Sequence, residues 1–140
     1  MITLVFALLG SACSRSGTHS SLKLNEMFQK KERPDAVLLG RASWYGVPFH
    51  GRTTANGEKY NMYDLTAAHK SLPFGSTLRV TNLKNNRVVT VRLNDRGPYI
   101  PGRILDLSFA AAVELDMVGQ GVGSVKIEVY KPERKFVARK

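Results

Sequence analysis

From Val37 onward the chain breaks into short apolar runs separated by Gly, Pro and Asn, the pattern of a small all-β protein. The runs predict strands at Leu38–Tyr45, Thr66–Ala68, Thr77–Asn82, Arg87–Leu93, Ile104–Leu107 and Ser124–Tyr130. Arg87–Leu93 alternates apolar and polar in its second half, as a half-buried strand does. Leu83-Lys84-Asn85-Asn86 sits between two of these runs and predicts a hairpin turn. Ser108 is placed to cap a short helix over Phe109–Leu115 that ends near Gly119. Periodicity alone supports a small β-rich barrel with one or two short helices and goes no further.

Before Val37 the pattern differs. Met1 to Ala12 is apolar but too short to cross a bilayer, which needs about 20 residues. Gly10, Ser11 and Ala12 lead into Cys13, the single cysteine, which cannot form an internal disulfide. Residues 14–36 are rich in Ser, Lys, Glu, Asn and Gln and read as a polar tether, with room for a helical turn or two at Leu22–Lys31. The expected division is therefore a signal-like segment at 1–13, a tether at 14–36, a barrel domain at 37–130 and a tail at 131–140.

Charge changes the picture mainly at the end of the chain. The net charge is +10, and the final ten residues hold five basic side chains and one acidic. Such a tail suits polyanions or simply aids solubility. No zinc-finger spacing, helix-turn-helix or RNP-type strand accompanies it, so no nucleic-acid partner is expected.

Candidate chemistry gathers between Gly40 and Ala112. Asp95 lies in Asn94-Asp95-Arg96-Gly97-Pro98, where an apolar strand meets turn residues. A carboxyl there suits proton delivery to a glycosidic oxygen, and equally suits an Asx turn that stabilises the loop. Glu58 follows the turn dipeptide Asn56-Gly57, and His69 ends Thr66-Ala67-Ala68-His69. Either could position a substrate or tune Asp95: a nearby carboxylate raises a carboxyl pKa and an imidazolium lowers it. Trp44, Tyr45 and Phe49 suit a sugar groove, although a tryptophan in a small barrel also serves as a core anchor, and Phe74 is expected in the core. Arg96 and Arg103 could pair with Asp95 and Asp106, or bind a substrate carboxylate, while Asp106 is expected to face inward as a structural acceptor. His50, His69, Asp95 and Glu58 are metal-ligand types without metal-site spacing, and no Gly-x-Ser-x-Gly elbow occurs, so no metal and no cofactor are expected.

These blocks, together with Ser43-Trp44-Tyr45-Gly46 and Leu72-Pro73-Phe74-Gly75, resemble the rare lipoprotein A (RlpA) family over Gly40 to Tyr130. The resemblance implies a six-stranded double-psi β-barrel, distantly similar to expansins and barwin-like domains. It also implies an endolytic lytic transglycosylase that cleaves peptidoglycan glycan strands, by the resemblance those denuded of stem peptides, in septal wall processing. In that chemistry the muramic C6 hydroxyl attacks its own C1, leaving a 1,6-anhydro end. Asp95 matches the family's catalytic aspartate. Glu58 and His69 match positions important for activity, so the catalytic candidates are Asp95, His69 and Glu58. Trp44, Tyr45, Asn56 and Arg96 are the substrate-binding candidates. Cys13 resembles a lipobox cysteine, although no basic residue precedes the apolar run and Gly10 stands where Leu is preferred; Ser14 after it suits outer-membrane sorting. The implied location is the periplasmic face of a bacterial cell envelope, with the protein a lipid-anchored monomer. Many members carry a peptidoglycan-binding SPOR domain, and none is expected in these 140 residues. The alternative is a non-catalytic, expansin-like module that binds or loosens the wall.

Overall fold

Six strands frame residues 33–132, the part of the chain that the computed structural model describes. They are β1 (Ala36–Tyr45), β2 (Thr66–Ala68), β3 (Thr77–Asn82), β4 (Val88–Asp95), β5 (Arg103–Ser108) and β6 (Gly123–Tyr130). One helix, α1 (Phe109–Glu114), and a 3-10 turn at Val47–Phe49 complete the elements. Cys13, the signal-like segment, the tether up to residue 32 and the tail from residue 133 lie outside the described residues.

Each expected strand forms, with its ends within two residues of the expected bounds. They close into a barrel in the order β1-β5-β2-β4-β3-β6. The β1/β5 and β2/β4 pairs are parallel and the other four are antiparallel. Parallel pairs need crossover connections, and a closed six-stranded barrel with two of them agrees with the double-psi β-barrel that the resemblance implies.

Alternation fills the interior. Leu78 on β3 stands opposite Val91 on β4 and Val129 on β6, and Val80 stands opposite Val89 and Ile127. All six are buried in one core cluster. Fully burying such a side chain contributes about 1.5–3 kcal/mol. Ser108 does cap α1, its hydroxyl accepting from the Ala111 amide at 3.3 Å. The helix seats Ala111, Ala112 and the following Leu115 in the same core. Its C-terminal end is satisfied from the hairpin turn: the Asn82 and Asn85 side-chain amides each donate to the Leu115 carbonyl at 3.0 Å. Asn86 takes the left-handed conformation of that turn, at φ 60°.

Two expectations change. Leu105 and Leu107 belong to the core, so Asp106 between them faces the other side of β5 and is only half-buried. Phe74 lies outside the core cluster, beneath the Arg96 guanidinium at 3.7 Å from its ring centre.

Candidate active site

The site begins with an irregularity in β4. Val91 and Leu93 point inward, so strict alternation would send Asp95 inward as well. The β2/β4 register shifts between Ala67 and Ala68: Ala67 pairs with Leu93, and Ala68 pairs with Asp95. The extra residue re-aims the strand end, as bulges beside functional sites commonly do. Ala68 also pairs with Asp106, and Asp106 with Ser43. Ser43, Asp106, Ala68 and Asp95 thus form one row across four neighbouring strands. With strands about 4.8 Å apart, the two aspartates are separated by about 10 Å at Cα, with only a methyl side chain between them. The Ser43 hydroxyl donates to Asp106 Oδ1.

The two Asp95 oxygens differ. Oδ1 accepts from the Ala55 amide at 2.9 Å and from the Arg96 amide at 2.8 Å. Oδ2 has no hydrogen-bond partner among the described residues. Asp95 therefore does stabilise its loop, and does so with one oxygen while leaving the other open.

Ala55 is presented by a small hairpin, closed by the Thr53–Lys59 bridge and turned at Gly57 with φ 91°. Asn56 braces it: its Oδ1 accepts from the Thr54 hydroxyl at 2.6 Å and its amide donates to Glu58 Oε1 at 3.0 Å. Glu58 then ties the hairpin to β4 through a bidentate pair with Arg92, at 2.7 and 2.9 Å, and through the Asn94 amide at 3.2 Å. The Arg92 hydrogen bonds, followed by those of Asn94 and Asn56, lower the Glu58 pKa to about 2. Glu58 is thus a carboxylate at neutral pH and its oxygens are engaged, which makes it a brace and not a proton donor.

His69 lies next to Asp95 through the backbone, its amide donating to the Asp95 carbonyl at 3.2 Å. Its Nδ1 accepts from the Ser71 and Leu72 amides at 3.1 and 3.2 Å, which places the proton of the neutral ring on Nε2. Burial, then Arg96 and Lys70, lower its pKa, so no imidazolium stands beside Asp95 at neutral pH. One Arg96 guanidinium nitrogen donates to the His69 and Leu72 carbonyls at 3.2 and 2.9 Å. Of the two options the sequence left for Arg96 and Arg103, ion pairs with Asp95 and Asp106 do not form among the described residues, and the Arg103 Nε is buried without a partner there.

The aromatic candidates separate. Trp44 packs against the core and on Phe109, with ring centres 5.5 Å apart, so its contacts are those of a core anchor and not of a sugar platform. Tyr45 stacks on Tyr60 at 4.4 Å. Phe49 forms a T-shaped pair with Tyr45 at 5.8 Å and remains exposed. Among the described residues no three His, Cys, Asp or Glu side chains gather as a metal site, and His50 Nδ1 accepts from the Met62 amide.

An open carboxyl at a bulged strand end of a double-psi barrel accompanies a sequence match over residues 38–127 to the family described as lytic transglycolase. The chain belongs to this family. Curated relatives named endolytic peptidoglycan transglycosylase RlpA include one from Campylobacter jejuni, 50% identical over 124 residues, covering 85% of this chain and 45% of the relative. One from Neisseria meningitidis serogroup B is 57% identical over 103 residues, covering 74% and 43%. The chain spans less than half the length of these relatives. Among solved structures, the Streptomyces papain inhibitor superposes with a TM-score of 0.58 at 20% identity, over 70% of this chain and 97% of that one. A Clavibacter michiganensis expansin superposes with a TM-score of 0.55 at 22% identity, over 71% and 53%. At these identities the likeness concerns the fold alone.

Within this lytic transglycolase barrel, Asp95, His69 and the Glu58 hairpin do meet at the end of β4. Sequence reasoning missed Arg92 and Ser43, whereas Asp106 is the hydrogen-bond acceptor it expected, taking the Ser43 hydroxyl. A carboxyl centred in the apolar run Ile104-Leu105-Asp106-Leu107 was the available signal for Asp106. Arg92 carried none, because its partner is 34 residues away.

Proposed function

We propose that the barrel is an endolytic lytic transglycosylase of peptidoglycan glycan strands, with Asp95 as acid and then base. Protonated Asp95 gives its proton to the glycosidic oxygen as the C1–O bond breaks. The muramic C6 hydroxyl attacks C1, and its proton returns to the Asp95 carboxylate. One strand then ends in 1,6-anhydromuramic acid, the other in a free hydroxyl, and no water is consumed. The observation that carries this reading is the division of labour within Asp95, whose Oδ1 is held by two amides while Oδ2 is open. A general acid needs that combination of fixed geometry and free reach. Glu58 and His69 serve as positioning residues, one holding the Ala55 hairpin and the other shaping the 69–72 turn. The relatives' shared name supports the same chemistry. Glycans denuded of stem peptides are the proposed substrate, in septal wall processing.

We further propose attachment to the envelope through a lipid on Cys13, at the periplasmic face of the outer membrane, with the barrel acting as a monomer. Multiple acyl chains hold a protein stably where one holds it marginally. The protein should therefore stay with membranes in high salt and leave them on Cys13→Ser; salt release of the unaltered protein would contradict this.

The enzymatic reading is tested by incubating the protein with denuded glycan strands and searching for 1,6-anhydro ends by mass spectrometry. Such ends are expected. Binding without anhydro product under any condition would replace the enzyme with a wall-binding module.

A further inference from the structure

Tyr45 ends β1 two residues after Ser43, so the two side chains share the face on which Ser43 meets Asp106. The ring has little freedom there. One face stacks on Tyr60 at 4.4 Å, Phe49 packs against the ring in a T-shaped pair at 5.8 Å, and the Tyr60 hydroxyl donates to the Tyr45 carbonyl at 2.6 Å. Tyr60 therefore covers one face of the ring, and the hydroxyl is its polar tip.

That tip is unsatisfied. The Tyr45 hydroxyl oxygen is buried and has no hydrogen-bond partner among the described residues. Buried side-chain polar atoms are bonded in the large majority of cases, and leaving one unpaired is costly. Burial first, and then the proximity of Asp95, Tyr60 and Asp106, raise its pKa, so the phenol keeps its proton across the physiological range. It is a donor with two carboxyls for neighbours.

We infer that the Tyr45 hydroxyl donates a hydrogen bond to a glycan oxygen lying between Asp95 and Asp106. Tyr45 is then a binding residue through its oxygen and not, as its aromatic character suggests, a stacking platform. The inference rests on the transglycosylase reading for the nature of the ligand. It assigns the hydroxyl a task that Asp95 does not share, because the phenol gives up no proton during the reaction.

Tyr45→Phe tests it by keeping both ring contacts and deleting one oxygen. The deciding readout is the Kd for a GlcNAc–MurNAc tetrasaccharide, measured by calorimetry in the Asp95→Asn background, where no turnover intervenes. Adding Tyr45→Phe should raise Kd about tenfold, and in the otherwise unaltered enzyme it should lower kcat/KM by about ten- to a hundredfold, with Tm unchanged or higher. An unchanged Kd would overturn the inference, and a lower Tm at unchanged Kd would do so by giving the oxygen a structural partner. If the unaltered protein binds the glycan but makes no anhydro ends, the transglycosylase reading fails by itself, and the Kd comparison still decides the role of Tyr45.

Discussion

The wall made by β3, β4 and β6 and the row that runs from β1 through β5 and β2 to the end of β4 follow different rules. In the wall, β3 pairs with both neighbours in continuous antiparallel register, and apolar side chains meet across every inward position from Leu78 to Val80. In the row, both parallel pairs carry a register shift, and the facing residues are Ser43, Asp106, Ala68 and Asp95. The contrast separates two tasks within one small barrel. Regular pairing maximises buried apolar area, whereas the β2/β4 shift breaks the alternation of β4 and lets Asp95 leave the core without unfolding its strand. The same strand, β4, does both: Val89 and Val91 serve the wall and Asp95 serves the row.

This division can be broken most severely from the wall. Ile127→Ala should cost about 2–5 kcal/mol of unfolding free energy, because a cavity opens between β3 and β6. Denaturant titration reads that loss, and glycan cleavage per folded molecule should stay close to the unaltered value. A large fall in the activity of the folded fraction would mean that wall and row are coupled.

A smaller effect is expected at the Glu58 brace. Its pKa is lowered in the folded protein from 4.5 to about 2, chiefly by Arg92, so its stabilisation is fully present above about pH 4.5 and is lost as pH falls towards 2. Its side chain is 40% exposed, which screens the pair and keeps the effect below that of the core substitution. Unfolding free energy should fall less steeply between pH 4.5 and pH 2 in Glu58→Gln than in the unaltered protein. Equal slopes would place the acid sensitivity elsewhere.

Local features of the fold were legible in the sequence. The strand runs, the Leu83–Asn86 turn and the Ser108 cap depend on residues close together in the chain, and all three formed. The site was legible as a set of residues but not as an arrangement. Its defining contacts join Ala55 to Asp95, Glu58 to Arg92 and Ser43 to Asp106, across 40, 34 and 63 residues. No pattern within a single run encodes such pairings. The bulge that re-aims Asp95 was equally hidden, since it arises from the pairing of β4 with β2 and not from β4 alone. Trp44 and Tyr45 illustrate the same limit: adjacent aromatics point to opposite sides of β1, one into the core and one towards the carboxyls. Composition could not tell them apart.

The central claim is that the open oxygen of Asp95 carries the proton of glycan cleavage, and Asp95→Asn tests it most directly. The asparagine Oδ1 can still accept from the Ala55 and Arg96 amides, so the hairpin should stay docked and the Tm and glycan affinity should remain near those of the unaltered protein. Without a transferable proton, formation of 1,6-anhydro ends on denuded glycan, followed by mass spectrometry, should fall by at least about a hundredfold. A folded Asp95→Asn protein that releases anhydro ends at the unaltered rate would contradict the account and remove Asp95 from the mechanism.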